Sequence, residues 1–378
     1  MLRKKIFITV LVFLLFIPLI SFDTYALSAS SAAVMLADTK ELLFEKDAHK
    51  KMSMASTTKI MTALLACESG RLYEEVNITD DMIRVEGTSM GLKKGDSLTL
   101  YNIVMGMMLL SGNDAANAVA IYLSGSIKSF ASLMNEKARE LGMNDTHFVT
   151  ASGLDDDEHY STAYDMALLA SYAMKNPVFR EFVCVYSGKV EYISPDLVCT
   201  YRNHNKFLKM YDGACGIKTG FTKKSGRCLV TAVDKDGCLV VAVTLKAPDD
   251  WNDHVFLYNN CLDKIKKSSI SDRYNCVLSV VGGEKNTVSA SLKEDISLFS
   301  KSGKVKTELL TEKINYAPIK NGDCLGKVRV FINGEKYGDY FITADESIDK
   351  IIVISFKDRL INKLNELFRR FEKWLTAA

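Results

Sequence analysis

Apolar positions along the chain first recur in short strand-like runs and then at helical spacing. Residues 32–36 and 42–45 flank Asp38-Thr39-Lys40, which predicts a hairpin. From Ser56 the pattern turns helical. Ile60, Met61, Ala63, Leu64, Leu65 and Ala66 are apolar or good helix formers, and Gly70 supplies a stop. Leu100, Ile103, Val104, Met107 and Met108 predict a helix that runs into Ser111-Gly112-Asn113, and a second begins at Asp114 through Ala116, Val119, Ala120 and Leu123. Ile127, Phe130, Leu133, Met134, Ala138 and Leu141 form another amphipathic pattern stopped by Gly142. Ser161 and Thr162 cap a helix from Ala163, with Asp165 three residues after Thr162, and Pro177 ends it.

After Gly188 the period becomes that of strands. Residues 228–233 and 238–245 flank Asp234-Lys235-Asp236-Gly237, a hairpin signal between apolar runs. Lys218-Thr219-Gly220 precedes them and is expected on the adjacent strand, facing the helical part. Residues 250–266 predict a closing helix. From Cys276 helical periodicity is absent until the tail: Val288, Ala290 and Leu292 alternate with polar residues, as do Val328, Val330 and Ile332 before an Asn333-Gly334 turn. That reads as a small all-β domain. In the tail, Leu360, Ile361, Leu364, Leu367, Phe368, Phe371, Trp374 and Leu375 repeat at spacings of 3, 4 and 7 along one helical stripe.

Composition adds little to this picture except at the ends. The 378 residues, 48% hydrophobic and 25% charged, suit one large domain and one small one. Arg3, Lys4 and Lys5 precede an apolar run from Ile6 to Ile20 and small residues at Ala26 and Ala29, the layout of a secretory signal over residues 1–29. The apolar run is shorter than the ~20 residues a membrane span needs. Removing the leader takes away three basic residues and Asp23, so the net charge of +2 falls to zero and no basic field suggests nucleic acid. The nine cysteines are odd in number and contain no Cys-x-x-Cys pair, so zinc is unsupported; most are read as free thiols. Asp155-Asp156-Asp157-Glu158 before His159 reads as a solvated acidic loop rather than a metal site.

The chemistry begins with Ser56-Thr57-Thr58-Lys59. Three-residue spacing puts Ser56 and Lys59 on one helix face, with Cβ atoms about 5–6 Å apart, and Ser56 heads the helix, where free N–H groups and the macrodipole favour an anion. Ser-x-x-Lys alone is weak: it recurs at Ser347 and Lys350. Here it is followed, in order, by Ser111-Gly112-Asn113 on a helix-to-helix connection and by Lys218-Thr219-Gly220 on a strand. This trio of motifs is that of class A β-lactamases and penicillin-binding proteins, with Ser-Asp-Asn as the usual middle member in the former.

From Ala33 to about Lys266 the chain resembles the serine D-alanyl-D-alanine carboxypeptidases, which are low-molecular-weight penicillin-binding proteins. The three motifs carry the resemblance, together with Gly153-Leu154, the run His159-Tyr160-Ser161-Thr162-Ala163 and Gly216 to Thr222. The resemblance implies an α+β fold: a β-lactamase/transpeptidase-like domain over residues 30–268, with an antiparallel sheet and a helical cluster. A β-sandwich domain over 275–352 and an amphipathic membrane-binding helix over 356–376 are expected to follow. It implies Ser56 as nucleophile, Lys59 as general base and Ser111 as proton relay. Asn113 would hold the substrate amide, Lys218 and Thr219 the terminal carboxylate, and Ser56 and Phe221 the oxyanion through their N–H groups; Gly220 would let the strand approach closely. No cofactor and no metal is implied. The expected partners are peptidoglycan stem peptides, β-lactams as covalent inhibitors and, through the tail, an anionic membrane surface.

The reaction implied is removal of the terminal D-alanine from stem pentapeptides by an exported enzyme at the outer face of the cytoplasmic membrane. A β-lactamase is the nearest rival, but no equivalent of the deacylating glutamate is found and the middle motif reads Ser-Gly-Asn. A catalytically silent wall-binding protein is a third reading, which covalent penicillin labelling would exclude. A Ser-His-Asp site finds no Gly-x-Ser-x-Gly setting among the five histidines. One departure stands out: no lysine or arginine lies between Ala247 and Asp263, where some family members carry an arginine that assists the carboxylate, and His254 is the only weak substitute.

Overall fold

The structure, a computed structural model, describes residues 26–270, 274–294, 296–352 and 355–377. Residues 1–25 of the expected leader, and the side chains of Trp374 and Leu375 in the tail stripe, lie outside the described residues. The chain divides into two compact units, one formed by Phe44–Cys261 with the chain before Leu36, the other by Leu36–Leu43 and the chain from Leu262.

The first unit is built on a five-stranded sheet. Its strands are β1 (Ser31–Leu36), β2 (Glu41–Lys46), β3 (Ala214–Thr222), β4 (Gly226–Lys235) and β5 (Cys238–Leu245), in the order β2-β1-β5-β4-β3. β3, β4 and β5 run antiparallel. All eight residues of β5 are buried, as a continuous apolar run requires when both faces of a strand are covered. The central helix α1 (Lys59–Glu68) is equally enclosed, with Lys59 to Leu64 and Ala66 buried. It packs against α2 (Leu100–Leu110), α3 (Asn113–Ser124) and α5 (Ala163–Ala173), while α4 (Ile127–Leu141) lies beside α3 and α5.

Two sequence expectations are modified here. Pro177 does not simply stop a helix: it occupies the first turn of a new one, α6 (Pro177–Cys184), capped by Asn176 Oδ1, which accepts from Val178 N and Phe179 N. Proline suits that position because its missing N–H would be unpaired anyway. The closing helix α7 spans only Asp250–Cys261, and the chain then pairs as a strand, Lys266–Ser269 against Ser297–Ser300.

The end of the expected leader falls on residues that hydrogen-bond within the first unit. Ser28 N and Oγ donate to Asp253 at 2.9 and 2.7 Å, Ala29 N donates to the same carboxylate at 2.9 Å, and Ala29 has no exposed surface. Residues 28 and 29 are thus bound to the buried Asp253 carboxylate of this unit.

In the second unit a six-stranded sheet, with Val288, Ala290, Val328, Val330, Ile342 and Ala344 in its core, bears out the small all-β domain. Asn333 and Gly334, both at positive φ, turn Cys324–Ile332 into Glu335–Ala344. The tail is a single helix, α8 (Phe356–Ala377), whose stripe residues Leu360, Ile361, Leu364, Leu367, Phe368 and Phe371 are exposed.

Candidate active site

Ser56 sits not in the first turn of an α-helix but in a 3-10 turn, Ala55–Thr58, that leads into α1. The turn is tied by its own hydroxyls: Thr57 Oγ1 donates to Met54 O at 2.7 Å and Thr58 Oγ1 to Ala55 O at 2.8 Å. Ala55 has φ +50°, a left-handed conformation that costs a side-chain-bearing residue about 1–2 kcal/mol. Lys59 opens α1 with no exposed surface. Its Nζ lies 2.9 Å from Ser56 Oγ, 2.8 Å from Asn113 Oδ1 and 2.7 Å from Ser152 O. Burial first, and the Lys218 ammonium second, hold Lys59 well below the ordinary lysine range, against a weaker upward pull from the Asp114 carboxylate.

The middle motif lies on the α2–α3 connection as expected. Ser111 ends α2 at φ +63° and is almost buried at the cleft, and Gly112 precedes the first turn of α3. An added Cβ on Gly112 would lie 2.7 Å from Met90 N, so glycine is what lets the 88–92 loop close over the connection. The Asn113 carboxamide is committed at both ends: Oδ1 accepts from Lys59, and Nδ2 donates to Glu86 O at 2.7 Å. It therefore orients Lys59, with one Nδ2 hydrogen and one Oδ1 lone pair left for a substrate. Asp114, expected only as a helix start, accepts from Met90 N, Gly91 N, Leu92 N and Ser89 Oγ at 2.6–3.0 Å. That carboxylate organises the loop bearing Thr88, whose carbonyl accepts from Asn113 N.

On β3, Lys218 is buried and its Nζ donates to Thr219 O at 3.0 Å; burial pushes it down to about 7. Thr219, Gly220 and Phe221 line a cleft of about 340 Å³ together with Ser56 and Ser111. An ideal Cβ on Gly220 would meet Ser56 N, Met54 O and Ala55 Cβ, each at 3.1 Å, so the strand passes tightly against the turn that carries Ser56.

A cation lines the cleft from another strand. Arg227 on β4 lines the same cleft and lies directly across from Phe221. Its Nε and Nη2 donate to Asp250 Oδ1 at 3.0 and 2.7 Å, and its guanidinium lies 5.7 Å from the Trp251 ring centre. Alternation places Thr219, Phe221 and Arg227 on one face of the sheet, a signal readable from the sequence once the turn at 222–226 is recognised. His254 is no substitute: it is fully buried, with Nδ1 2.7 Å from Thr231 Oγ1 and Nε2 3.0 Å from Thr244 Oγ1.

The acidic loop is exposed, as expected, but not idle. Asp155 accepts from Ser53 Oγ and Thr222 Oγ1, and Asp157 pairs with Lys224. His159 is buried away from it, 2.9 Å from Thr58 Oγ1. All nine cysteines are free thiols.

Comparison with known proteins agrees with this geometry. A family model described as D-alanyl-D-alanine carboxypeptidase matches residues 20–249, and one described as the C-terminal domain of penicillin-binding protein 5 matches residues 276–350. The D-alanyl-D-alanine carboxypeptidase DacF of Bacillus subtilis is 30% identical over 345 residues, 88% of each chain. The D-alanyl-D-alanine carboxypeptidase of Streptomyces sp. strain K15 is 34% identical over 58% of this chain and 81% of its own. Among solved structures, the peptidoglycan synthesis regulatory factor PBP3 of Streptococcus pneumoniae has a TM-score of 0.72 at 25% identity, covering 86% of this chain and all of that one. The Streptomyces K15 DD-transpeptidase has a TM-score of 0.60 at 30% identity, covering 63% of this chain and 98% of that one.

Proposed function

The chain belongs to the D-alanyl-D-alanine carboxypeptidase family, a serine hydrolase and penicillin-binding protein of the cell wall, and from that premise we propose that Ser56 is the residue acylated and Lys59 its base. The observation that carries the proposal is the 2.9 Å contact between Nζ of the fully buried Lys59 and Ser56 Oγ at the cleft. A buried ammonium is disfavoured by several kcal/mol unless paired with an anion, and its three neighbours here are a hydroxyl, an amide and a carbonyl. A neutral amine has two hydrogens and one lone pair. The hydrogens suit Asn113 Oδ1 and Ser152 O, which leaves the lone pair for the Ser56 proton.

In the reaction, Ser56 Oγ attacks the carbonyl of the penultimate D-alanine of a stem peptide as its proton passes to Lys59. Ser56 N–H and Phe221 N–H stabilise the tetrahedral oxyanion, a contribution of about 3–4 kcal/mol per donor. Ser111 Oγ relays a proton to the departing amine, free D-alanine leaves, and a water activated by Lys59 hydrolyses the ester. A β-lactam amide enters the same cycle, but its amine stays tethered to the acyl group and obstructs that water. Thr219 and the Lys218 charge receive the terminal carboxylate. Ser56→Ala is the test: both D-alanine release and covalent penicillin binding should vanish, and labelling that survives at another serine contradicts the assignment.

The chain is exported, and the bonds from Ser28 and Ala29 to Asp253 favour leader removal before Ser28. Its tail helix lies in the interface of an anionic membrane on the outer face. Six basic and three acidic residues between Lys357 and Lys373 give a net +3 opposite the apolar stripe. Among the described residues no helix is long and apolar enough to cross a membrane.

A further inference from the structure

The buried pair His159 and Thr58 has no part in the cycle above, yet it touches the peptide that presents Ser56. Val149 N–H and Thr150 N–H both point at His159 Nδ1, at 3.0 and 3.3 Å. Nδ1 is therefore an acceptor, and the ring's proton sits on Nε2. Burial pushes this histidine down to about 4, so the neutral tautomer persists at working pH. Nε2–H donates to Thr58 Oγ1 at 2.9 Å, and Thr58 Oγ1 donates to Ala55 O at 2.8 Å. The chain of donors runs one way and ends on a single carbonyl.

That carbonyl belongs to the same peptide unit as Ser56 N–H. The unit is planar and trans, so its C=O and N–H point in opposite directions, and fixing one fixes the other. Ala55 also holds a left-handed φ of +50°, a strained conformation that persists only where its surroundings hold it in place. Gly153 closes the remaining space: a Cβ there would fall 2.0 Å from Ala55 O.

We propose that His159 and Thr58 are positioning residues that aim the Ser56 N–H into the oxyanion hole by clamping the Ala55 carbonyl from behind. The inference rests on the reading of Ser56 N–H as an oxyanion donor. It separates two roles of one loop: Ser152 O holds the base through Lys59, and His159 aims the oxyanion donor through Thr58. Losing an oxyanion donor costs about 10²- to 10³-fold in rate; a donor left in place but free to swing should cost about 10- to 10²-fold.

The test uses Thr58→Val, nearly the same shape without the hydroxyl, beside Thr58→Ser, which restores it. Stopped-flow penicillin binding separates the non-covalent Kd from the acylation rate constant, and a D-alanine-type peptide boronate probes the tetrahedral state. Thr58→Val should acylate about 10- to 10²-fold more slowly with Kd within twofold, boronate affinity should fall in parallel, and Thr58→Ser should recover most of both. Acylation by Thr58→Val within twofold of the parent overturns the clamp. So does a loss that falls on Kd instead, or one that serine does not rescue. Should Thr58→Val fail to fold, His159→Gln and His159→Asn decide: glutamine can reach Thr58 as Nε2–H does, asparagine keeps only the Nδ1-like acceptor, and equal acylation by the two overturns the clamp. Mapping the penicillin adduct in the parent protein keeps the failures apart. An adduct away from Ser56 defeats the functional reading itself, whereas an adduct on Ser56 with unimpaired Thr58→Val defeats only the clamp.

Discussion

Asn113 Oδ1 stands 2.8 Å from Lys59 Nζ, so the middle motif holds that amine directly. Replacing that amide by a carboxylate places a negative charge against the amine and favours its protonated form. Lys59 lies below its ordinary pKa in the parent, so acylation should rise with pH as the amine loses its proton, with a midpoint well under 10.5. Asn113→Asp should move that rising limb to higher pH and slow acylation at neutral pH. Lys59→Arg, which stays charged, should lose about 10²- to 10⁴-fold, the span of general-base catalysis. Stopped-flow acylation across pH checks both, and an unmoved limb in Asn113→Asp would detach Lys59 from the base role.

Arg227, facing Phe221 across β3 and β4 and braced by Asp250 and Trp251, brings a positive charge to the cleft, whereas no lysine or arginine lies between Ala247 and Asp263. Arg227→Ala and Thr219→Val should each raise KM for a free-acid peptide about tenfold or more, roughly the 1.5–3 kcal/mol of a charged hydrogen bond, and affect the C-terminal amide much less. Asp250→Asn, which frees the guanidinium, should retain the preference for the acid. Equal losses on acid and amide substrates would reduce Arg227 to a structural ion pair.

The three motifs were legible because each is local: Ser56 and Lys59 are one turn apart, Ser111 to Asn113 fill one connection, and Lys218 to Gly220 one strand. Turn chemistry was equally legible at Asn333-Gly334. What escaped was tertiary or cross-strand. Arg227 reaches the cleft only because β4 returns beside β3, and Asp114 shows its five-membered hydrogen-bond shell only once the 88–92 loop folds back. Pro177 was read as a stop because proline ends helices and also begins them, and Asn176 beside it was the cue that decides. His254 looked available for substrate and proved to be a core residue between two buried threonines.

The tail offers a clean separation of binding from chemistry. α8 exposes Leu360, Ile361, Leu364, Leu367, Phe368 and Phe371, and truncation after Ser355 removes all of them without touching the cleft. The truncated enzyme should lose sedimentation with anionic vesicles, keep its activity on soluble peptides within about twofold, and the full chain's binding should weaken with salt as interfacial charge is screened. Undiminished sedimentation of the truncated enzyme would contradict the membrane role.

If Ser56, activated by Lys59, is the acylated residue, mass spectrometry of the penicillin-treated protein reads it out in one step. Intact mass should increase by one penicillin per chain, and peptide mapping should place the adduct on the fragment that carries Ser56 and on no other. An adduct on a different residue, Ser111 included, or an unmodified chain that hydrolyses penicillin in rapid turnover, would contradict the account.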